Sequence, residues 1–179
     1  MDKQNIKYVF FFLATLSFLN ISFAQDKFIE SKVDSLLAKM TLQEKIGQLV
    51  RRTDVDKKSI ELIKEGKIGV MGNYGRSTRD SLQKIAVEES RLHIPLIFAA
   101  DVIHGYYTTF PVPLAQACSW DPDLAEKAAS IAAFEAASDG LNWTFDPMVD
   151  IARDPRWGRI VEGAGEDPYL GCNCFWIRR

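Results

Sequence analysis

Ile94-Pro95-Leu96-Ile97-Phe98-Ala99-Ala100-Asp101 is the stretch of sequence that decides the fold. Its apolar run is unbroken up to the aspartate, which is typical of a parallel strand that is buried on both faces. After Asp101 the chain continues as Val102-Ile103-His104-Gly105. Residues 142–150 repeat this order, with an apolar segment that ends in an acid. Both stretches therefore predict parallel strands that carry acids at their carboxyl-terminal ends, where barrel enzymes assemble their active sites.

Helical and strand patterns alternate along the rest of the chain. Strands are predicted at residues 68–74, 94–100 and 141–149. Helices are predicted in five places, at residues 29–40, 41–50, 59–65, 78–92 and 122–138. Such strand-helix units imply a parallel sheet with right-handed crossovers. We therefore predict an α/β fold, a partial (β/α)8 TIM-like barrel of roughly three units, because a complete barrel takes about 250 residues.

The amino terminus has the pattern of an export signal. Lys3 and Lys7 precede an apolar block at residues 8–19, and Ser22-Phe23-Ala24 places small residues where a signal peptidase cleaves. The alternative is an uncleaved membrane anchor, but the block is shorter than the roughly 20 residues that span a bilayer. Residues 1–24 are therefore predicted to be a signal peptide. We expect a periplasmic or secreted protein without a membrane segment after cleavage.

Composition argues against several classes of partner. The chain has 22 Lys and Arg against 24 Asp and Glu, a net charge of −2, and no basic tract. Nucleic acid is therefore not an expected partner. Only 3 cysteines and 2 histidines are present, without the repeated spacing of metal ligands. We predict neither a metal site nor a cofactor.

Arg153-Asp154-Pro155-Arg156-Trp157-Gly158-Arg159 places charges of both signs around one aromatic ring. Such a segment is typical of a loop held by ion pairs and bidentate guanidinium bonds, which also grip ligands with many hydroxyl groups. We expect Arg153, Asp154 and Arg156 to brace this loop. Trp157 has two open interpretations, stacking on a sugar face or packing beneath the loop.

Five segments, in this order, resemble the β-glucosidase-like members of glycoside hydrolase family 3, and the resemblance covers nearly all of residues 28–171. The Asp101 segment is more similar to the glucosidase and xylosidase branch than to the N-acetylglucosaminidase branch. The matching segments are Met40-Thr41-Leu42-Gln43-Glu44-Lys45-Ile46-Gly47-Gln48-Leu49, Ala99-Ala100-Asp101-Val102-Ile103-His104-Gly105, Phe110-Pro111-Val112-Pro113-Leu114, Ser119-Trp120-Asp121-Pro122 and the region from Asp150-Ile151-Ala152 to Asp167-Pro168-Tyr169-Leu170-Gly171.

The resemblance implies an exported, exo-acting enzyme that removes terminal β-linked glucose from glucosides or oligosaccharides with retention of configuration; a β-xylosidase is the alternative. Asp101 is similar to the acid that binds sugar hydroxyls in the first subsite, and Arg159 to the arginine that shares this task. Asp101 could otherwise be a helix N-cap. Arg159 could otherwise form a buried ion pair with Glu162 or Asp150.

The resemblance stops at Gly171, so residues 25–171 are expected to be an incomplete family 3 barrel domain and residues 172–179 an aberrant tail. In the family, the nucleophilic aspartate, a substrate-binding Lys-His pair and the acid-base glutamate come later. We therefore assign no catalytic residue here and expect no turnover by this chain alone. Two hypotheses follow: a truncated record of a β-glucosidase, or a catalytically dead sugar-binding fragment or degraded remnant.

Overall fold

The structure is a computed structural model that describes residues 27–175, with side chains up to Cys172. The predicted signal peptide and the last part of the predicted tail lie outside the described residues. The chain divides into two compact units, one that ends at Thr41 and one that begins at Leu42. Each unit is described separately.

The described part of the first unit is dominated by helix α1, Lys27–Lys39. Glu30 lies in its first turn and Lys39 in its last turn, so each charge complements the nearer end of the helix dipole. Nζ of Lys32 lies 4.1 Å from the ring centroid of Phe28, one turn away, in a cation–π contact. The helix predicted at residues 29–40 is confirmed.

The second unit contains a four-stranded parallel sheet. Its strands are β1 (Arg51–Arg52), β2 (Val70–Met71), β3 (Ile97–Ala100) and β4 (Trp143–Thr144), which neighbour one another in chain order. In the register, β2 lies between β1 and β3, and Ala99 of β3 is opposite Trp143 of β4. Parallel strands joined through helices confirm the predicted α/β class.

Six α-helices and one 3-10 helix surround this sheet among the described residues of the second unit. They are α2 (Leu42–Gly47), α3 (Lys57–Lys64), α4 (Arg76–Glu89), α5 (Pro113–Ala117), α6 (Pro122–Ser138), the 3-10 helix Ile160–Glu162 and α7 (Pro168–Phe175). No helix within residues 27–175 is both long enough and apolar enough to cross a membrane.

Helix α6 has the bounds that the sequence predicts because both of its ends are well specified. The carboxylate of Asp121 accepts hydrogen bonds from the backbone N–H groups of Asp123 and Leu124, and Pro122 occupies the first turn. At the other end the chain leaves the helix at Gly140, whose φ of 97° is accessible to glycine at little cost. The helix predicted at residues 122–138 is confirmed.

The helix predicted at residues 41–50 is wrong in its last three residues. Helix α2 ends at Gly47, and the carbonyl oxygen of Val50 accepts hydrogen bonds from the N–H groups of Gly69 and Val70. The parallel ladder therefore takes the place of the last helical turn. A Cβ atom on Gly47 would lie 2.3 Å from the carbonyl oxygen of Gly66, so the absence of a side chain permits this approach.

The core lies between the sheet and helices α3, α4 and α6. Its buried members include Ile63, Met71, Leu82 and Phe98. Ile97, by contrast, is 42% exposed, whereas Ala99 is 0% exposed. Alternate residues of a strand point to the same face, so the prediction that β3 is buried on both faces is confirmed at Ala99 and wrong at Ile97.

Candidate functional site

The ends of β3 and β4 are joined by hydrogen bonds on both sides of Asp101, at Ala100 and at Val102. The N–H of Val102 donates to Oδ2 of Asp146, and the same oxygen lies 2.6 Å from the donating hydroxyl of Thr144. The N–H of Phe145 donates to the carbonyl oxygen of Ala100 at 3.1 Å. These bonds fix the backbone from which the Asp101 side chain projects.

Asp101 is exposed and directly follows β3 at the carboxyl-terminal edge of the sheet. Within residues 27–172 its carboxylate accepts no hydrogen bond. The next helix along the chain begins only at Pro113, so the interpretation of Asp101 as a helix N-cap is wrong. The carboxylate is therefore available to a ligand.

Residues 101–110 form a loop, hereafter the β3 loop, that folds back on itself. Nδ1 of His104 donates to the carbonyl oxygen of Phe110 at 2.8 Å, and the N–H of Phe110 donates to the carbonyl oxygen of His104 at 2.7 Å. Gly105 has a φ of 122°, and a Cβ atom on it would lie 1.9 Å from the carbonyl oxygen of Thr108. The β3 loop therefore requires glycine at position 105.

Arg159 holds Glu162 in a bidentate ion pair. Nε of Arg159 lies 3.1 Å from both carboxylate oxygens, and Nη2 lies 2.6 Å from Oε2. The sequence left an ion pair with Glu162 as an alternative for Arg159. The structure contains that pair, but with 60% of the Arg159 side chain exposed, so the pair is not buried.

The electrostatics place Asp101 near this guanidinium. The hydrogen bonds to Glu162 are the main cause that raises the pKa of Arg159, and the negative charges of Glu162, Asp150 and Asp101 add to it. The pKa of Glu162 is lowered by its hydrogen bonds from Arg159. Asp101 and Arg159 thus belong to one neighbourhood of opposite charges.

The charged segment around Trp157 is braced locally. The carboxylate of Asp154 accepts hydrogen bonds from the backbone N–H of Arg156 at 2.9 Å and from Nε at 3.0 Å. The Arg156 side chain is 88% exposed, so this pair stiffens a turn without tying it to the core. Arg153 is exposed, and Trp157 is half-buried. Their roles, like the sugar-binding roles of Asp101 and Arg159, stay predictions.

A second feature, which the sequence did not reveal, is an apolar cavity of about 340 Å³ against one face of α6. Small side chains of α6, such as Ala128 and Ala132, form one wall, and His104 and Glu162 lie at its margin. The sequence predicted the length of α6 but not this space. Within residues 27–175 no cluster of three or more His, Cys, Asp or Glu side chains could hold a metal ion.

The sequence also missed a buried polar network at the end of α6. Oδ2 of Asp139 lies 2.5 Å from Nη2 of Arg79, which is 3% exposed, and 2.6 Å from the donating hydroxyl of Tyr106. Hydrogen bonds from Tyr106 and then from Arg79 lower the pKa of Asp139 to about 2. An isolated Arg within a helix pattern reads as a surface residue, so no sequence signal pointed to Arg79.

Comparison with known proteins agrees with this geometry. The glycosyl hydrolase family 3 N-terminal domain matches residues 41–174. The chain therefore belongs to glycosyl hydrolase family 3. It is 48% identical over 143 residues to a periplasmic beta-glucosidase of Salmonella typhimurium, and 32% identical over 155 residues to a beta-xylosidase of Formosa agariphila.

Among solved structures, a beta-glucosidase from Listeria innocua in complex with glucose superposes with a TM-score of 0.73 at 36% identity, covering 81% of this chain. The aligned parts cover 77% of this chain for the Salmonella relative and 81% for the Formosa relative. They cover only 19% and 17% of those relatives, and 22% of the Listeria chain. The chain thus spans about a fifth of the length of the proteins it matches.

Proposed function

We propose that this chain supplies part of the sugar-binding site of a retaining, β-glucosidase-type exo-glycoside hydrolase. The observation that carries the proposal is the exposed, unbonded carboxylate of Asp101 at the carboxyl-terminal edge of the parallel sheet, in the same charged neighbourhood as Arg159. The active sites of barrel enzymes lie at this edge. The names of the Salmonella and Listeria relatives support glucosides as the substrate class.

The chemistry of the two side chains suits a sugar ring with several hydroxyl groups. The carboxylate of Asp101 can accept two hydroxyl hydrogens, and the guanidinium of Arg159 can donate to a hydroxyl oxygen. Because Glu162 holds Nε and Nη2 of Arg159, the guanidinium plane is fixed before a ligand arrives. Such pre-organised contacts orient the ring relative to the reacting bond.

The bond-breaking step needs groups that we do not assign to this chain. Retaining hydrolysis takes two carboxyl groups about 5 Å apart, one as nucleophile and one as acid and base. We place neither among residues 27–172 and expect the chain alone to bind sugar without hydrolysing it. Reading the gene in all three frames beyond the codon for Gly171 tests whether a Lys-His pair and a Ser-Asp-Trp-like nucleophile segment follow.

The main test is a calorimetric titration of the chain with glucose. Asp101→Asn should weaken binding at least about tenfold, because one of two charge-assisted acceptors is lost. Asp80→Asn, an exposed position on α4, is the matched control and should leave affinity unchanged. Equal affinities of the two variants would refute the assignment of Asp101, and a wild-type chain that binds no sugar would favour a degraded remnant.

A β-xylosidase is the second candidate, favoured by the 32% identity to the Formosa relative. Xylose lacks the hydroxymethyl group of glucose, so a parallel titration with xylose separates the two. We expect tighter binding of glucose. Preference for xylose would reverse the substrate assignment while leaving the roles of Asp101 and Arg159 in place.

Export is proposed from residues 1–24 and agrees with the periplasmic name of the Salmonella relative. The mature chain should begin at Gln25. Amino-terminal sequencing of the protein recovered from a periplasmic extract or from the medium checks this. A chain that retains residues 1–24 would contradict cleavage.

A further inference from the structure

Glu135, near the carboxyl-terminal end of α6, binds the far side of the β3 loop, at Tyr107 and Thr108. Its Oε2 accepts hydrogen bonds from the backbone N–H groups of Tyr107 at 2.9 Å and Thr108 at 2.8 Å. Its Oε1 lies 2.6 Å from the donating hydroxyl of Thr108. These three donors lower the pKa of Glu135, with the hydroxyl of Thr108 the largest cause. One carboxylate thus satisfies three polar groups of a turn that has little apolar burial.

Asp139 contacts the same loop from the next turn of the helix. Residues four apart lie on one face of an α-helix, so Glu135 and Asp139 meet the loop side by side. The hydroxyl of Tyr106 donates to Asp139 at 2.6 Å. Arg79 neutralises Asp139 from the buried side and donates through Nη1 to Oδ1 of Asn73 at 2.6 Å.

Tyr107 and Thr108, at the far side of the β3 loop, depend on these contacts. Tyr107 and Thr108 are exposed, so hydrophobic burial does not hold them. The start of the loop is bonded to Asp146 through the N–H of Val102. The far side is bonded to α6 through Glu135 and Asp139. After Asp101, the β3 loop is therefore bonded to carboxylates in two places, at Val102 and at residues 106–108.

We propose that Glu135 and Asp139 are positioning residues, which clamp the β3 loop to α6 and thereby fix the orientation of Asp101. This inference rests on the proposed function in one respect only: the fixed orientation of Asp101 serves to present its carboxylate to a sugar. The clamp is a property of this chain and is measurable without any ligand.

Glu135→Gln is the sharper variant, because it removes a charge without disturbing Arg79. Glu126→Gln is the matched control: it makes the same change on α6, at a side chain that makes no hydrogen bond to the β3 loop. In Glu135→Gln, but not in Glu126→Gln, amide hydrogen exchange of the full chain should accelerate at least about tenfold at Tyr107 and Thr108. The 13C signal of the Asp101 carboxyl should shift or broaden in the same variant. Asp139→Asn should act likewise, with a larger loss of stability.

The outcomes are distinct. Exchange in Glu135→Gln that matches Glu126→Gln would overturn the clamp. Faster exchange at Thr108 with an unchanged Asp101 carboxyl signal would make Glu135 purely structural and would overturn positioning. If the wild-type chain binds no glucose, but the Asp101 carboxyl signal shifts in Glu135→Gln, the proposed function is refuted and the clamp is supported. Movement of Asp101 together with at least fivefold weaker glucose binding supports both.

Discussion

Nη2 of Arg79 lies 2.5 Å from Oδ2 of Asp139, across 60 residues of chain, and only 3% of the arginine side chain is exposed. This pair connects helix α4 to the end of helix α6, immediately before β4. Desolvation by burial would lower the pKa of Arg79, but its hydrogen bonds to Asp139 and Tyr106 raise it. The guanidinium therefore stays charged and depends on its partners.

Replacing Arg79 should destabilise the fold. In Arg79→Met, the carboxylate of Asp139 keeps the hydrogen bond from Tyr106 but loses those from Arg79, and the amide oxygen of Asn73 loses the bond from Nη1, so we expect a loss of about 2 kcal/mol in the free energy of unfolding. Urea denaturation followed by circular dichroism measures it. Lys84→Met on the same helix is the control, since Lys84 is 69% exposed and 3.9 Å from Glu88. A midpoint equal to that of the control would contradict the role of Arg79.

Stability should fall in acid through Asp139. Its pKa is about 2 in the folded chain against an ordinary value of 3.8. A carboxyl with a lowered pKa contributes stability that is complete above the unfolded value and is lost as pH falls through the folded value. Between pH 4 and pH 2, the urea midpoint should therefore fall more steeply for the wild type than for Asp139→Asn. Parallel curves for the two proteins would show that Asp139 does not carry this dependence.

Gly105→Ala should disrupt the β3 loop. A methyl group would lie 1.9 Å from the carbonyl oxygen of Thr108, and φ is 122°. We expect a cost of roughly 1–3 kcal/mol or a rearranged loop, because a residue with a side chain strongly disfavours this backbone. Gly158→Ala is the control, since a Cβ atom there would contact nothing within 4 Å. Two-dimensional NMR spectra compare the loop signals, which should change in Gly105→Ala alone.

Leu82→Ala should create a cavity in the core beneath the sheet. Leu82 is 2% exposed and belongs to the buried cluster with Met71 and Phe98. Truncation of a buried leucine costs about 2–5 kcal/mol. Leu49 is 86% exposed, so Leu49→Ala should leave the free energy of unfolding nearly unchanged. Chemical denaturation of both variants tests this difference, and equal midpoints would contradict the assigned core.

The sequence predicted those elements whose signals are local. Helix α6 was predicted to the residue because Asp121 and Gly140 mark its ends. Strand β1 was missed because Arg51–Arg52 has no apolar run of its own and is a strand only by pairing with β2. The strand predicted at residues 141–149 is reduced to Trp143–Thr144, where pairing with β3 ends.

In the candidate site, too, the sequence predicts local features and misses contacts between distant residues. Asp101 could be proposed from the sequence because it directly follows an apolar strand, which places it at the carboxyl-terminal edge of the sheet. Arg79 and Asp139 are 60 residues apart, so only the folded chain brings them together. The hydrogen bond that Thr108 donates to Glu135 spans 27 residues and was missed for the same reason.

The order of the sheet, β1-β2-β3-β4, repeats the order of the strands along the chain. Each strand after β1 therefore pairs with the strand that precedes it along the chain, so the sheet can grow at one edge as the chain folds. Arg79 and the β3 loop precede Asp139 in the chain, so their polar groups find their partner only when the end of α6 is in place.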